Sequence, residues 1–113
     1  INMNTFNFVN AAFDNLLFRY PTQNEFNNSY SMIEDKLPFI IFGYSGANKE
    51  DFINLICNSR EFHEGVVYWS YLTMLARTPT TIETDFLMND FYITNDFQKL
   101  QRFIMTTDEY AHF

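Results

Sequence analysis

Two short clusters bring histidine and carboxylates together: Glu61, His63 and Glu64, then Asp108, Glu109 and His112. Such groups can bind a metal or relay protons when they converge. Residues one and two apart do not share a helix face, however, and neither cluster has a sound ligand spacing. Gly43-Tyr44-Ser45-Gly46 contains part of a Gly-x-Ser-x-Gly nucleophile elbow but lacks its spacing and its strand-to-helix setting. Gly43-x-x-Gly46 is also too sparse to cradle phosphate. The single Cys57 ends an apolar run from Phe52 and reads as a buried, inert thiol. No spacing pairs two carboxylates across a dry cleft. The expectation is a protein that is not an enzyme, with no catalytic, cofactor or metal residues.

Arg19 and Arg77 are the other candidates for chemistry, and they belong to a repeat. Arg19-Tyr20-Pro21-Thr22-Gln23-Asn24-Glu25 recurs as Arg77-Thr78-Pro79-Thr80-Thr81-Ile82-Glu83. A closing echo follows each: Ser59-Arg60-Glu61-Phe62, then Thr107-Asp108-Glu109-Tyr110. The arginines lie 58 residues apart (77 − 19), but Glu61 and Glu109 only 48 (109 − 61). The stretch 37–46 accounts for the difference and is expected to be a loop inserted in the first copy. Each arginine could hold a carboxylate ligand. The structural role fits better: a cation at a helix C-terminus, paired with the glutamate that repeats in step with it. Arg19 is thus expected to pair with Glu61, and Arg77 with Glu109.

The elements that position these residues read as helices. Phe6, Val9, Phe13, Leu16, Leu17 and Tyr20 form one face of a helix over about 5–19, which Pro21 ends. Thr22 with Glu25, and Thr80 with Glu83, are capping boxes that open new helices, the second after the stop at Pro79. Phe26, Tyr30, Ile33 and Leu37 should form the stripe after Thr22; Ile82, Phe86 and Leu87 should face inward after Thr80. Asn48 caps a third helix. Val67, Tyr68, Tyr71, Leu72 and Leu75 mark a fourth over about 66–76. Phe97, Leu100, Phe103 and Ile104 mark a sixth. Only Phe39–Phe42 and Phe91–Thr94 have strand-prone composition. The predicted fold is all-α: one domain over 1–113, with about six helices in two similar units, about 5–65 and 66–113. The units are expected to pack as one small bundle, with a longer apolar loop in the first. A period of this size suits a scaffold whose units stack.

The chain has 113 residues, 47% hydrophobic, with 14 Phe, 7 Tyr and 1 Trp, which argues against disorder. A net charge of −7 opposes phosphate contacts, so no nucleic-acid partner is expected. No segment reaches the ~20 apolar residues of a membrane span. Because the first residue is Ile1, the expectation is a processed or truncated chain, with an export signal or lipid anchor removed or left out. Abundant Asn, Phe, Ile and Tyr fit an AT-rich bacterial genome.

Leu17-Phe18-Arg19-Tyr20-Pro21 with Ser59-Arg60-Glu61-Phe62, and Leu75-Ala76-Arg77-Thr78-Pro79 with Thr107-Asp108-Glu109-Tyr110, resemble a small helical repeat. That repeat is related to phycobilisome linker domains and also occurs in bacterial surface and secreted proteins. Its pattern is Leu-Gly-Arg-x-Pro and a closing Ser-x-Glu-Tyr/Phe; Phe18 and Ala76 replace its glycine. The resemblance implies a scaffold for protein–protein contact with no catalytic residues. The expected role is an accessory subunit of a bacterial cell-envelope assembly, in the periplasm or on the outer surface, bound to other protein subunits. The loop residues Phe39, Ile40, Ile41, Phe42 and Tyr44 are its expected partner-binding patch. The competing roles are a helical module of a longer enzyme and a carbohydrate-binding protein that stacks sugars on Trp69 or Tyr92.

Overall fold

The computed structural model describes residues 1–111. The chain is all-α apart from one small hairpin. It divides into two compact units, Ile1–Phe62 and His63–Phe113. The first contains α1 (Met3–Leu17), α2 (Gln23–Asp35), β1 (Phe39–Ile41), β2 (Tyr44–Gly46), α3 (Lys49–Cys57) and the opening turn of α4 (Arg60–Leu75). The second contains the rest of α4, α5 (Thr81–Thr94), α6 (Phe97–Met105) and α7 (Asp108–Ala111).

Local chemistry fixes the helix ends. Thr22 Oγ1 accepts from the Glu25 N–H while Glu25 accepts from the Thr22 N–H; Thr80 and Glu83 do the same. Asn48 caps α3 and Asp96 caps α6 in the same manner, each accepting from the N–H three residues on. Ser59 and Thr107 each accept from the N–H three residues on and donate to the carbonyl three residues back. Thr22→Ala and Thr80→Ala should therefore each cost about 1 kcal/mol in denaturant melts. A neutral result at either would break the equivalence of the two units.

A residue with left-handed backbone precedes each of Arg19 and Arg77. Phe18 (φ 58°) and Ala76 (φ 55°) sit just past the ends of α1 and α4, where the backbone must reverse. Only glycine takes that conformation without a Cβ penalty. Phe18 and Ala76 bear that strain here.

In the first unit Val9, Phe13, Leu17, Met32, Ile41, Phe52 and Ile56 form the core. In the second it is Val67, Tyr71, Leu75, Leu87, Met88, Phe91, Leu100 and Ile104. Val9, Phe13 and Leu17 correspond to Val67, Tyr71 and Leu75 at the spacing of the arginines. Phe52 and Ile56 correspond to Leu100 and Ile104 at the spacing of the closing glutamates. Ser29, buried on α2, has a hydroxyl with no hydrogen-bond partner.

Several expectations need correction. The stretch 37–46 is not a plain loop: Phe39 to Ile41 pairs antiparallel with Tyr44 to Gly46. Its two-residue turn has Phe42 at φ 54° and Gly43 at φ 81°, both left-handed, which suits the twist of a tight hairpin. Phe91–Thr94, also strand-prone, is the last turn of α5. The fourth helix starts earlier than 66: α4 runs unbroken from Arg60 through Gly65. Leu37 lies beyond α2 and is exposed, as are Tyr68, Leu72, Ile82, Phe86, Phe97 and Phe103. On α5 the cause is geometric. At ~100° per residue, Ile82, Phe86 and Ile93 share one face while Leu87, Met88 and Phe91 occupy the opposite one. Periodicity alone offered two apolar stripes, and the core uses the second.

Candidate functional site

The two arginines make the same contacts. Arg19 Nε donates to Glu61 Oε2 (2.7 Å) and Nη2 to Glu61 Oε1 (3.0 Å). Its Nη1 and Nη2 also donate to Glu25 Oε1 and Oε2 (2.8 and 2.9 Å), and Nη1 to the Tyr20 carbonyl (3.1 Å). All five guanidinium donors are thereby used. Arg77 repeats this with Glu109 (2.7 and 2.9 Å), Glu83 (2.9 and 2.8 Å) and the Thr78 carbonyl (3.1 Å). Each guanidinium also lies over an aromatic ring, Phe13 for Arg19 and Tyr71 for Arg77.

Arg19 thus pairs with Glu61 and Arg77 with Glu109, but each has a second partner. Glu25 and Glu83 reach the guanidinium while still closing their capping boxes. The signal was in the sequence: an Arg six residues before a capping-box Glu, in both copies. Hydrogen bonds from Arg19, aided by the Thr22 N–H, hold the Glu25 carboxyl down to about 2. Arg77 and the Thr80 N–H hold Glu83 at about 2 as well, and Arg77 lowers Glu109. Both arginines are pushed above their ordinary range, first by Glu25 or Glu83, then by Glu61 or Glu109. A guanidinium with five occupied donors cannot take a ligand carboxylate without losing a glutamate. Pro21 and Pro79 set the turn that brings each Arg back onto its helix start.

The other chemistry-bearing residues are dispersed. Glu61 belongs to the Arg19 network. His63 is buried against Phe91 and Tyr92, with Nε2 2.8 Å from Asn95 Oδ1. His112 lies outside the described residues. Among the described residues no three His, Cys, Asp or Glu side chains converge as a metal site would require. Burial raises the Cys57 thiol. Among the described residues no helix is long and apolar enough to cross a membrane.

The proposed partner patch divides. Ile41 is 3% exposed and belongs to the core; Phe39 and Phe42 pack against it, Phe42 beside Phe13. Ile40 (60%) and Tyr44 (65%) point outward. This follows from strand alternation: Ile40 faces away from its neighbours Phe39 and Ile41. The contiguous patch expected of 39–44 does not form.

An open concavity lies instead between α5 and α6 of the second unit. It measures about 400 Å³, within the range of ligand clefts. Phe86 and Phe103 form its aromatic wall, with ring centroids 5.6 Å apart. Leu87, Phe91 and Leu100 lie deeper, and Asp90 and Lys99 form an ion pair at 3.1 Å along it. Phe86 is 61% exposed and Phe103 41%. Sequence reasoning missed this cleft because it placed both rings in the core. No protein family, curated protein or solved structure matches this chain.

Proposed function

We propose that this chain is a non-enzymatic helical scaffold, an accessory subunit that holds other proteins in a bacterial cell-envelope assembly. The observation that supports it most is the open aromatic cleft between α5 and α6, on a unit whose repeated charged groups are all engaged in holding the fold. Two adjacent large aromatics left to solvent mark a contact surface. The acidic surface, net −7, keeps the free subunit soluble until it assembles. The envelope location follows from the likeness of the Arg-x-Pro and Ser/Thr-x-Glu motifs to repeats of bacterial surface proteins.

Native co-purification of the tagged full chain from fractionated source cells tests this. The chain should appear in the envelope fraction, in fixed stoichiometry with another protein. Recovery as free chain from the cytosol would overturn the proposal.

A further inference from the structure

The first unit contains a cleft at the same place, and there it is full. Its occupant is the hairpin. The Ile40 carbonyl accepts from Asn28 Nδ2 at 2.9 Å, and the Ala47 N–H donates to Asp51 Oδ2 at 2.9 Å. Gly46 presses so closely on the floor that a Cβ there would stand 2.9 Å from Met32 Sδ, 2.9 Å from Asp51 Cβ and 3.0 Å from Leu55 Cδ1. Four residues therefore floor the occupied slot: Asn28, Met32, Asp51 and Leu55.

The two repeat spacings map those residues onto the second unit. The spacing of the arginines carries Asn28 and Met32 of α2 to Phe86 and Asp90 of α5. The spacing of the closing glutamates carries Asp51 and Leu55 of α3 to Lys99 and Phe103 of α6. All four line the open cleft. The second unit has no inserted hairpin, since α5 and α6 are joined directly through Asn95 and Asp96. Its cleft is the hairpin slot without the hairpin.

Loss of a covering segment would favour polar replacements on the uncovered floor. That holds at one floor position, where Asp90 stands for Met32, and fails at two. Asn28 is matched by Phe86 and Leu55 by Phe103, so the open slot is more aromatic than the filled one. The open slot also holds a donor and an acceptor, though at other positions: Lys99 stands at the place of Asp51 and Asp90 at that of Met32. In the first unit Asn28 donates to a carbonyl and Asp51 accepts from an N–H. In the second, Lys99 can donate and Asp90 can accept, and both are half-exposed to solvent.

The geometry points to the α5–α6 cleft as a receptor for a short extended segment of a different protein, which docks there as the hairpin docks in the first unit. The inference rests on the scaffold reading and names what the scaffold holds. The segment is strand-forming and carries an aliphatic or aromatic side chain that packs on the paired rings of Phe86 and Phe103. Its backbone bonds to Asp90 and Lys99, the main-chain mode of strand recognition. A glycine where Gly46 lies would let it approach the floor. A second copy of this chain is a poor occupant: its hairpin is already seated through Ile41, and two chains of charge −7 repel.

The probe is a synthetic peptide with the sequence of residues 37–47, titrated into the isotope-labelled full chain. Saturable amide shifts should appear along α5 and α6, around Phe86, Asn89, Asp90 and Phe103. The double variant Phe86→Ser with Phe103→Ser should weaken binding at least tenfold while keeping its helical circular dichroism. A control peptide with serine for Ile40, Ile41 and Phe42 should not bind. No saturable shift at millimolar peptide overturns the proposal, as do shifts that persist in the variant. Concentration-dependent dimerisation of the wild type that the variant abolishes would make a second copy the occupant, and also overturns it. A native partner recovered equally with wild type and variant removes the cleft but leaves the scaffold function standing.

Discussion

Replacing Ile41 and Phe42 together with serine should melt the first unit, at a cost of about 4 kcal/mol. Ile41 is almost fully buried among Phe13, Phe52 and their neighbours, and truncation leaves both a cavity and an unpaired hydroxyl there. Phe42 adds its contact with Phe13. Denaturant melts give the size of the loss, and amide exchange locates it. Protection should vanish from α1, α2 and α3. A variant that keeps native protection in those helices would show that the hairpin is an ornament on the fold, and would remove the basis for reading the α5–α6 cleft as an empty slot.

Arg19→Met should cost about 2 kcal/mol, because it strands two carboxylates and a carbonyl that shared one guanidinium. The figure is moderated by exposure: Glu25 is 21% exposed, but Glu61 is 40%. Arg77→Met should cost less, its partners being more open. Arg19→Lys should recover little, since an ammonium cannot make two parallel pairs and reach the Tyr20 carbonyl as well. The same network sets an acid limit. Glu25 and Glu83 ionise at about 2 in the folded chain, below the ordinary carboxyl value near 4.5. Their contribution to stability is therefore complete above the ordinary value and is lost as pH falls from there through about 2. Urea melts at pH 5 and pH 3 should show the wild type losing stability across that window, and Arg19→Met losing less. Parallel losses in the two proteins would mean that the arginine does not set the carboxyl.

The helices and their order were legible because their signals are local. Thr22 with Glu25, Thr80 with Glu83, Asn48 and the two prolines each act within a few residues, and the repeat doubled the evidence. The arginine–glutamate pairing was legible for the same reason, since only residues that move in step with Arg19 and Arg77 could be partners. Two features were not legible. The hairpin turn is Phe42-Gly43, without the Asn-Gly or Asp-Gly that marks such turns, and each of its strands is only three residues long. The cleft was hidden because Phe86 and Phe103 have helical spacing suited to a core. Which of the two apolar faces of α5 is buried depends on what covers it, and the covering segment exists in only one copy.

The arginine networks and the hairpin slot share no residue. Arg77, Glu83 and Glu109 close the second unit, while Phe86, Asp90, Lys99 and Phe103 floor its cleft. For protein engineering this makes the second unit a host for diversification. A library randomised at those four positions leaves the caps, the networks and the buried core intact. Variants selected from it would differ in what they hold and hardly at all in how they melt.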